Sequence, residues 1–195
     1  MRLQLAAGAW IGHHAQRRGD IAVTARYVMF AGYNRWANRR VYDAVVPLSD
    51  SDYRADRGAF FKSIHGTLNH LLVADRIWMH RFTGTGEAPA ALDSILHESF
   101  DELREARAAE DERIMAWIGT LTKADLTGLF RYRTIVNPAT IEQERAPALD
   151  HFFNHQTHHR GQVHAMLTAA AGQAPSLDLI QFQRETGFGA IRKHA

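Results

Sequence analysis

The 195-residue chain contains no cysteine. That excludes a disulfide scaffold, a thiolate metal site and a catalytic cysteine. Lysine is almost missing too: of 23 basic residues, 3 are lysine and 20 are arginine, for a formal net charge of +2. The arginines are scattered and interleaved with acids, as in REARAAEDER, instead of forming a basic stripe. Nucleic-acid binding therefore ranks last among the function classes, and many arginines beside few lysines also fit simple codon bias. No apolar run reaches the roughly 18 residues that a membrane-spanning helix needs, so no membrane association is expected. The opening MRLQLAAGAWIGHH has one arginine and a short apolar stretch broken by Gln4, with no small-residue cleavage pattern. No signal peptide is expected, and the cytoplasm is the default compartment. With 46% hydrophobic and 23% charged residues, the composition is that of an ordinary globular chain long enough to bury a core without staples.

Hydrophobic periodicity divides the chain. Residues 1–22 read as a loose N-terminal extension, 23–186 as one domain and 187–195 as a tail. The three-and-four spacing of Tyr27, Phe30, Asn34, Ala37, Asn38, Val41 and Val45 predicts a helix from about Thr24, which can cap it, to Val45. Pro47 and the LSDSD cluster end it. A second helix is expected from about Ala59 to Phe82, apolar around much of its circumference and so packed on more than one side. A third, amphipathic helix is expected from about Leu92 to Trp117. Between about Leu126 and Arg145, alternating Phe130, Tyr132, Thr134 and Val136 with an Asn137-Pro138 turn signal predict a loop or a short hairpin. The last helix runs from about Pro147 to Ala171, with Gly172 as its stop. Four long helices joined by modest loops predict an all-α four-helix bundle with a short irregular or hairpin-like segment before the last helix.

Histidine is the residue in excess. There are 12, and five of them fall in HFFNHQTHHRGQVH, residues 151–164. On a helix, His151, His155, His159 and Gln162 share about 80° of arc, beside the apolar stripe of Leu149, Phe152, Phe153, Val163 and Leu167. Histidines four apart aim two ring nitrogens at one point, the usual way for one helix to bind a transition metal. A second helix must supply the rest, and His70, mid-helix on an inward flank, is the best partner. His65 is about 140° from His70 around an ideal helix and cannot easily share its site. His65, His80, His97, His13, His14 and His194 read as packing or surface residues. His151, His158 and His164 are open between a supporting role at the site and caps on backbone carbonyls.

NHQTHHRGQVHAML, together with YNRWANRRVYDAV, SIHGTLNHLLVADRIW and the charged helix between them, resembles the DinB family (DinB/YfiT-like) of metal-dependent four-helix-bundle proteins, over roughly Thr24 to Gly172. The resemblance implies a divalent metal held by three histidines, one from the second helix and two, four apart, from the fourth: His70, His155 and His159. Three imidazoles suit Zn²⁺, Ni²⁺ or Fe²⁺ and leave a position open, as catalytic sites do. Related members resemble thiol S-transferases and a thiol-dependent isomerase. With no cysteine in the chain, any sulfur chemistry must be brought in by a low-molecular-weight thiol or other small-molecule substrate. A metal-dependent thiol transferase or hydrolase is one expectation. The other is a non-catalytic, stress-response bundle in which the metal only holds helices together. The catalytic residues remain unknown.

Further polar residues fall inside apolar stripes. Asn154 and Gln162 are placed to orient an imidazole or a bound water, or to bond helix to helix. Asp75 is expected to pair with Arg160 across the helices, with Asn34 satisfying a remaining hydrogen bond. Glu110 is expected to bridge to Arg107, and a role as general base or fourth ligand is the alternative. Trp10, Trp36, Trp78 and Trp117 are large anchors for the core, or for a homodimer.

Overall fold

The computed structural model describes the backbone of residues 4–189 and the side chains of residues 23–189. The side chains of Trp10, His13 and His14, and the tail residues 190–195 with His194, lie outside the described residues. The described residues are mostly helical, with one two-stranded sheet among them.

α1 spans Gln4–Val45. No proline interrupts that stretch, so Thr24 lies inside the helix and is not its cap. A short α2, Asp50–Arg54, is capped by Ser49. α3 spans Ile64–Thr83, begun by the Ser63 hydroxyl, which accepts from the Gly66 amide, and ended by Gly84 in the left-handed region. Its start is later than apolar spacing predicts, because Ser63 supplies a cap that Ala59 cannot. α4 spans Phe100–Ile118 and starts at the Ser99 cap, not at Leu92. Residues 84–99 are irregular, and the Asn69 side chain pins them by accepting from the Leu96 and His97 amides. α5, Lys123–Thr127, carries a reciprocal Thr122–Asp125 capping box.

The segment read as a loop or hairpin is a hairpin. β1, Leu129–Arg133, pairs antiparallel with β2, Thr140–Glu144, with Leu129 opposite Glu144 and Arg133 opposite Thr140. α6 follows at once, Arg145–Ala171, with Gly172 as its left-handed C-cap. α7, Leu179–Thr186, was not expected. It seats Phe182 against Tyr33 and Trp36 of α1.

Among the long helices, α1 packs on α4 and α6, and α3 packs on the same two. Their apolar residues form two clusters. One holds Tyr27, Trp78, Phe82, Ile114, Leu149 and Phe152. The other holds Val41, Leu68, Leu72, Leu103, Val163 and Leu167. Along α1 and α6 the first cluster precedes the second, and along α3 and α4 the order reverses. The helices of the first pair therefore run antiparallel to those of the second.

Each long helix places polar residues between the two clusters: Asn34 and Asn38 on α1, Asp75 on α3, Arg107 and Asp111 on α4, Gln156 and Arg160 on α6. All seven are buried. Trp78 is in the core, Trp117 stacks on Phe82, and Trp36 donates to Glu185. No helix among the described residues is long and apolar enough to cross a membrane.

Candidate metal centre

α3 and α6 meet side by side, and the meeting brings His70, His155 and His159 together. One ring nitrogen from each lies within 4.8 Å of the others. The ring centroids are 5.2 Å apart for His70–His155, 4.5 Å for His70–His159 and 4.4 Å for His155–His159. Each element contributes for a local reason. On α6 the two histidines are one helical turn apart. On α3, His70 sits between the apolar Leu68 and Leu71, which anchor the helix in the core.

Hydrogen bonds set the direction of the lone pairs. His70 Nδ1 lies 2.8 Å from the Leu92 carbonyl oxygen. A carbonyl only accepts, so Nδ1 carries the proton and Nε2 presents its lone pair. His159 Nδ1 donates in the same way to Gln162 Oε1 at 2.8 Å, which frees its Nε2. His70 Nε2 faces His155 Nε2 across 3.3 Å. Two nitrogens on a tetrahedral ion with bonds of about 2.0–2.1 Å lie about 3.3–3.4 Å apart, so the observed spacing matches that of adjacent ligands. Carbonyl and amide partners behind imidazoles are the usual support of such a site.

Burial keeps the rings neutral. It pulls His70 down to about 4, against the pull of its bond to the Leu92 carbonyl. It pulls His155 down to about 3, helped by the neighbouring His159 and His70. His159 is lowered for the same first reason, while its bond to Gln162 opposes the shift. At neutral pH all three are therefore in the form that binds a cation. Phe61, in the loop before α3, stacks on His70 at 3.7 Å between centroids and meets His159 edge-on at 5.6 Å. Gly66 makes this possible: a Cβ there would collide with the Phe61 carbonyl oxygen. Phe61 falls inside the helix expected from about Ala59 to Phe82, and nothing in that pattern marks it as a cover for the histidines.

His70 and His155 form part of the wall of a cavity of about 320 Å³, together with Trp78, Leu92, His151 and the hairpin loop residues Thr134, Ile135 and Val136. His151 is thus beside the cluster, its ring 5.2 Å from Trp78 and 5.8 Å from His155. Burial and the nearby Arg81 lower its pKa. A larger cavity of about 650 Å³ lies between α1, α4 and α7 and is lined by none of the histidines.

Of the two residues expected to orient the site, Gln162 does so, and its amide nitrogen also reaches His158 at 3.3 Å. Asn154 is exposed, with no hydrogen bond to the cluster. His65 bonds the His97 carbonyl oxygen at 3.1 Å and His80 bonds that of Gly86 at 2.9 Å, as packing residues do. The expected Asp75–Arg160 pair is not formed. Asp75 pairs with Arg107 at 2.6 Å and accepts from Gln156, while Arg160 donates to Asn34 and Asn38. Gln156 occupies the space between Asp75 and Arg160. Asn34 does satisfy a buried partner, as expected. Glu110 is bound by Arg113 at 2.9 Å instead of Arg107, and it is not in the metal-holding group.

The DinB family model matches residues 22–193. The chain is also similar to Protein DinB of Bacillus subtilis (strain 168), at 29% identity over 147 residues that cover 71% of this chain and 82% of the relative.

Proposed function

The chain belongs to the DinB family, and from that membership and the convergence of His70, His155 and His159 we propose that it is a metal-dependent enzyme with these histidines as ligands of one divalent ion, zinc, nickel or iron. The observation that carries the proposal is the meeting of three uncharged imidazole nitrogens beside a cavity. The four long helices are read as a four-helix bundle that holds these ligands in place.

A bound ion would supply a Lewis-acid centre that turns a coordinated water or thiol into its anion near neutral pH. The chain's own residues do the remaining work. Leu92 and Gln162 fix the ring tautomers. Phe61 shields one side of the cluster from water. The wall of Trp78, Ile135 and Val136 receives the apolar part of a substrate. The absence of cysteine makes a low-molecular-weight thiol from solution the fitting nucleophile for a transferase, and water the one for a hydrolase. A homodimer belongs to the same proposal.

A second reading, in which the ion only ties α3 to α6, draws on the fact that the ligands come from just those two helices. Cobalt-substituted protein separates the two. If 2-mercaptoethanol adds a thiolate-to-cobalt absorption band, a position is open to substrate. An unchanged spectrum favours the structural ion.

A further inference from the structure

Arg81 lies one turn beyond Trp78 on α3, at the seam of two cavities. Arg81 and Ile77 line both the 320 Å³ cavity walled by His70 and His155 and a neighbouring one of about 480 Å³ under the hairpin. The guanidinium lies over two rings, 4.6 Å from the centre of Trp78 and 4.7 Å from that of Tyr132. The two ring centres are themselves only 5.3 Å apart, so both rings flank the guanidinium from one side and hold it in place. One edge nitrogen donates to the Arg133 carbonyl oxygen at 3.2 Å.

Among the described residues no carboxylate pairs with Arg81, and its other donors have no acceptor. Nearby acids are engaged elsewhere: Glu142 holds Arg131, and Glu87 holds Arg76. Partial burial lowers the Arg81 pKa, with Tyr132 opposing the shift. Half-buried at the seam of the two cavities, the guanidinium presents its remaining N–H donors to an anion that enters them. We propose that Arg81 is the anion-recognition residue of the cavity beside the histidine cluster and that the substrate is a small carboxylate with an apolar body. This rests on the reading of the histidines as the reactive centre.

Two features select a carboxylate. A single guanidinium fork matches one carboxylate in charge and in bidentate geometry, whereas a phosphate dianion calls for more cations. Ile77, Trp78, Leu92 and Ile135 give the cavity shared by Arg81, His70 and His155 an apolar wall, beside the polar Thr134 and His151. A ligand with its carboxylate on Arg81 would lay its apolar part along that wall, toward His70 and His155.

The structural alternative is that Arg81 only clamps the hairpin to α3 through Tyr132 and the Arg133 carbonyl. Calorimetric titration with phenylacetate and its neutral isostere phenylacetamide distinguishes them, on metal-free and zinc-loaded full-length protein. We expect the carboxylate to bind about tenfold or more tightly than the amide, and Arg81→Gln to abolish that preference without changing zinc content. Arg81→Lys, which keeps the charge and loses the fork, should retain part of it and serves if the glutamine variant does not fold. No carboxylate preference in the wild type, or an undiminished preference in either variant, overturns the proposal. So does a preference that vanishes on zinc removal, since the carboxylate would then be binding the ion. A wild-type protein that takes up no zinc defeats the metal reading, while the metal-free titration still decides Arg81.

Discussion

Asp75 and Arg107 form a 2.6 Å ion pair with both side chains almost fully buried, between the two apolar clusters of the core. The pair is one link in a layer that continues through Asp111 and Asn38 to Arg160. A buried pair often adds little over an apolar pair of the same shape, but losing one partner strands the other. Asp75→Ala should therefore lower the unfolding free energy by about 3–5 kcal/mol. Asp75→Ala combined with Arg107→Met should lose less than the sum of the two single variants, as denaturant titration will show. Strict additivity would mean that the pair is not coupled.

The layer also shows how far the sequence could be read. Asp75, Arg160 and Asn34 stand out as polar residues in apolar stripes, so their burial is legible one helix at a time. Which of them meet depends on the axial register of neighbouring helices, and periodicity does not contain that. Gln156, four residues before Arg160, reaches Asp75 first. The starts of α3 and α4 depart from the apolar spacing for a related reason. Phe61, Leu92 and Leu96 continue the apolar spacing through irregular chain, whereas the Ser63 and Ser99 caps decide where the helices begin. The histidine cluster was legible because two of its members share one helix at the spacing a metal needs, and His70 lay on an inward flank of another.

Gln162 bonds the imidazole of His159 from outside the cluster. Supporting residues of this kind typically contribute about 10–100-fold in metal affinity. Gln162→Ala should weaken zinc binding by an amount in that range, measured by competition with a chelator, and leave the melting temperature of the metal-free chain nearly unchanged. Unaltered affinity would show that the bond does not orient the ring.

Acid should remove the stability that the neutral histidines give the metal-free protein. In the unfolded chain the histidines titrate near 6.5, while burial holds His70 at about 4 and His155 at about 3 in the folded one. As pH falls below about 6.5 the unfolded state takes up protons that the folded state refuses. The stability from the neutral rings is therefore complete above about 6.5 and lost progressively toward about 4 and below. Burial raises Asp75 and Asp111 in the folded chain and opposes this, so the histidine part is read in denaturant titrations between those values as the difference between wild type and His155→Ala, whose stability should depend less steeply on acid. An equal slope in both proteins would place the titrating groups elsewhere.

Gly66 holds the Phe61 carbonyl close to α3. Gly66→Ala should shift the loop that carries Phe61 and cost about 1–3 kcal/mol, as over-packing does, despite alanine's better helix propensity. Thermal melts of the variant will check this. A neutral or stabilising result would show that the loop yields freely.

The central claim is that His70, His155 and His159 hold one divalent ion. Elemental analysis of purified wild-type protein beside His70→Ala, His155→Ala and His159→Ala tests it most directly. One ion per wild-type chain, lost or greatly reduced in each variant that remains folded, is the predicted result. Equal metal content in the wild type and the folded variants, or none in the wild type after exposure to zinc, nickel and iron, would contradict it.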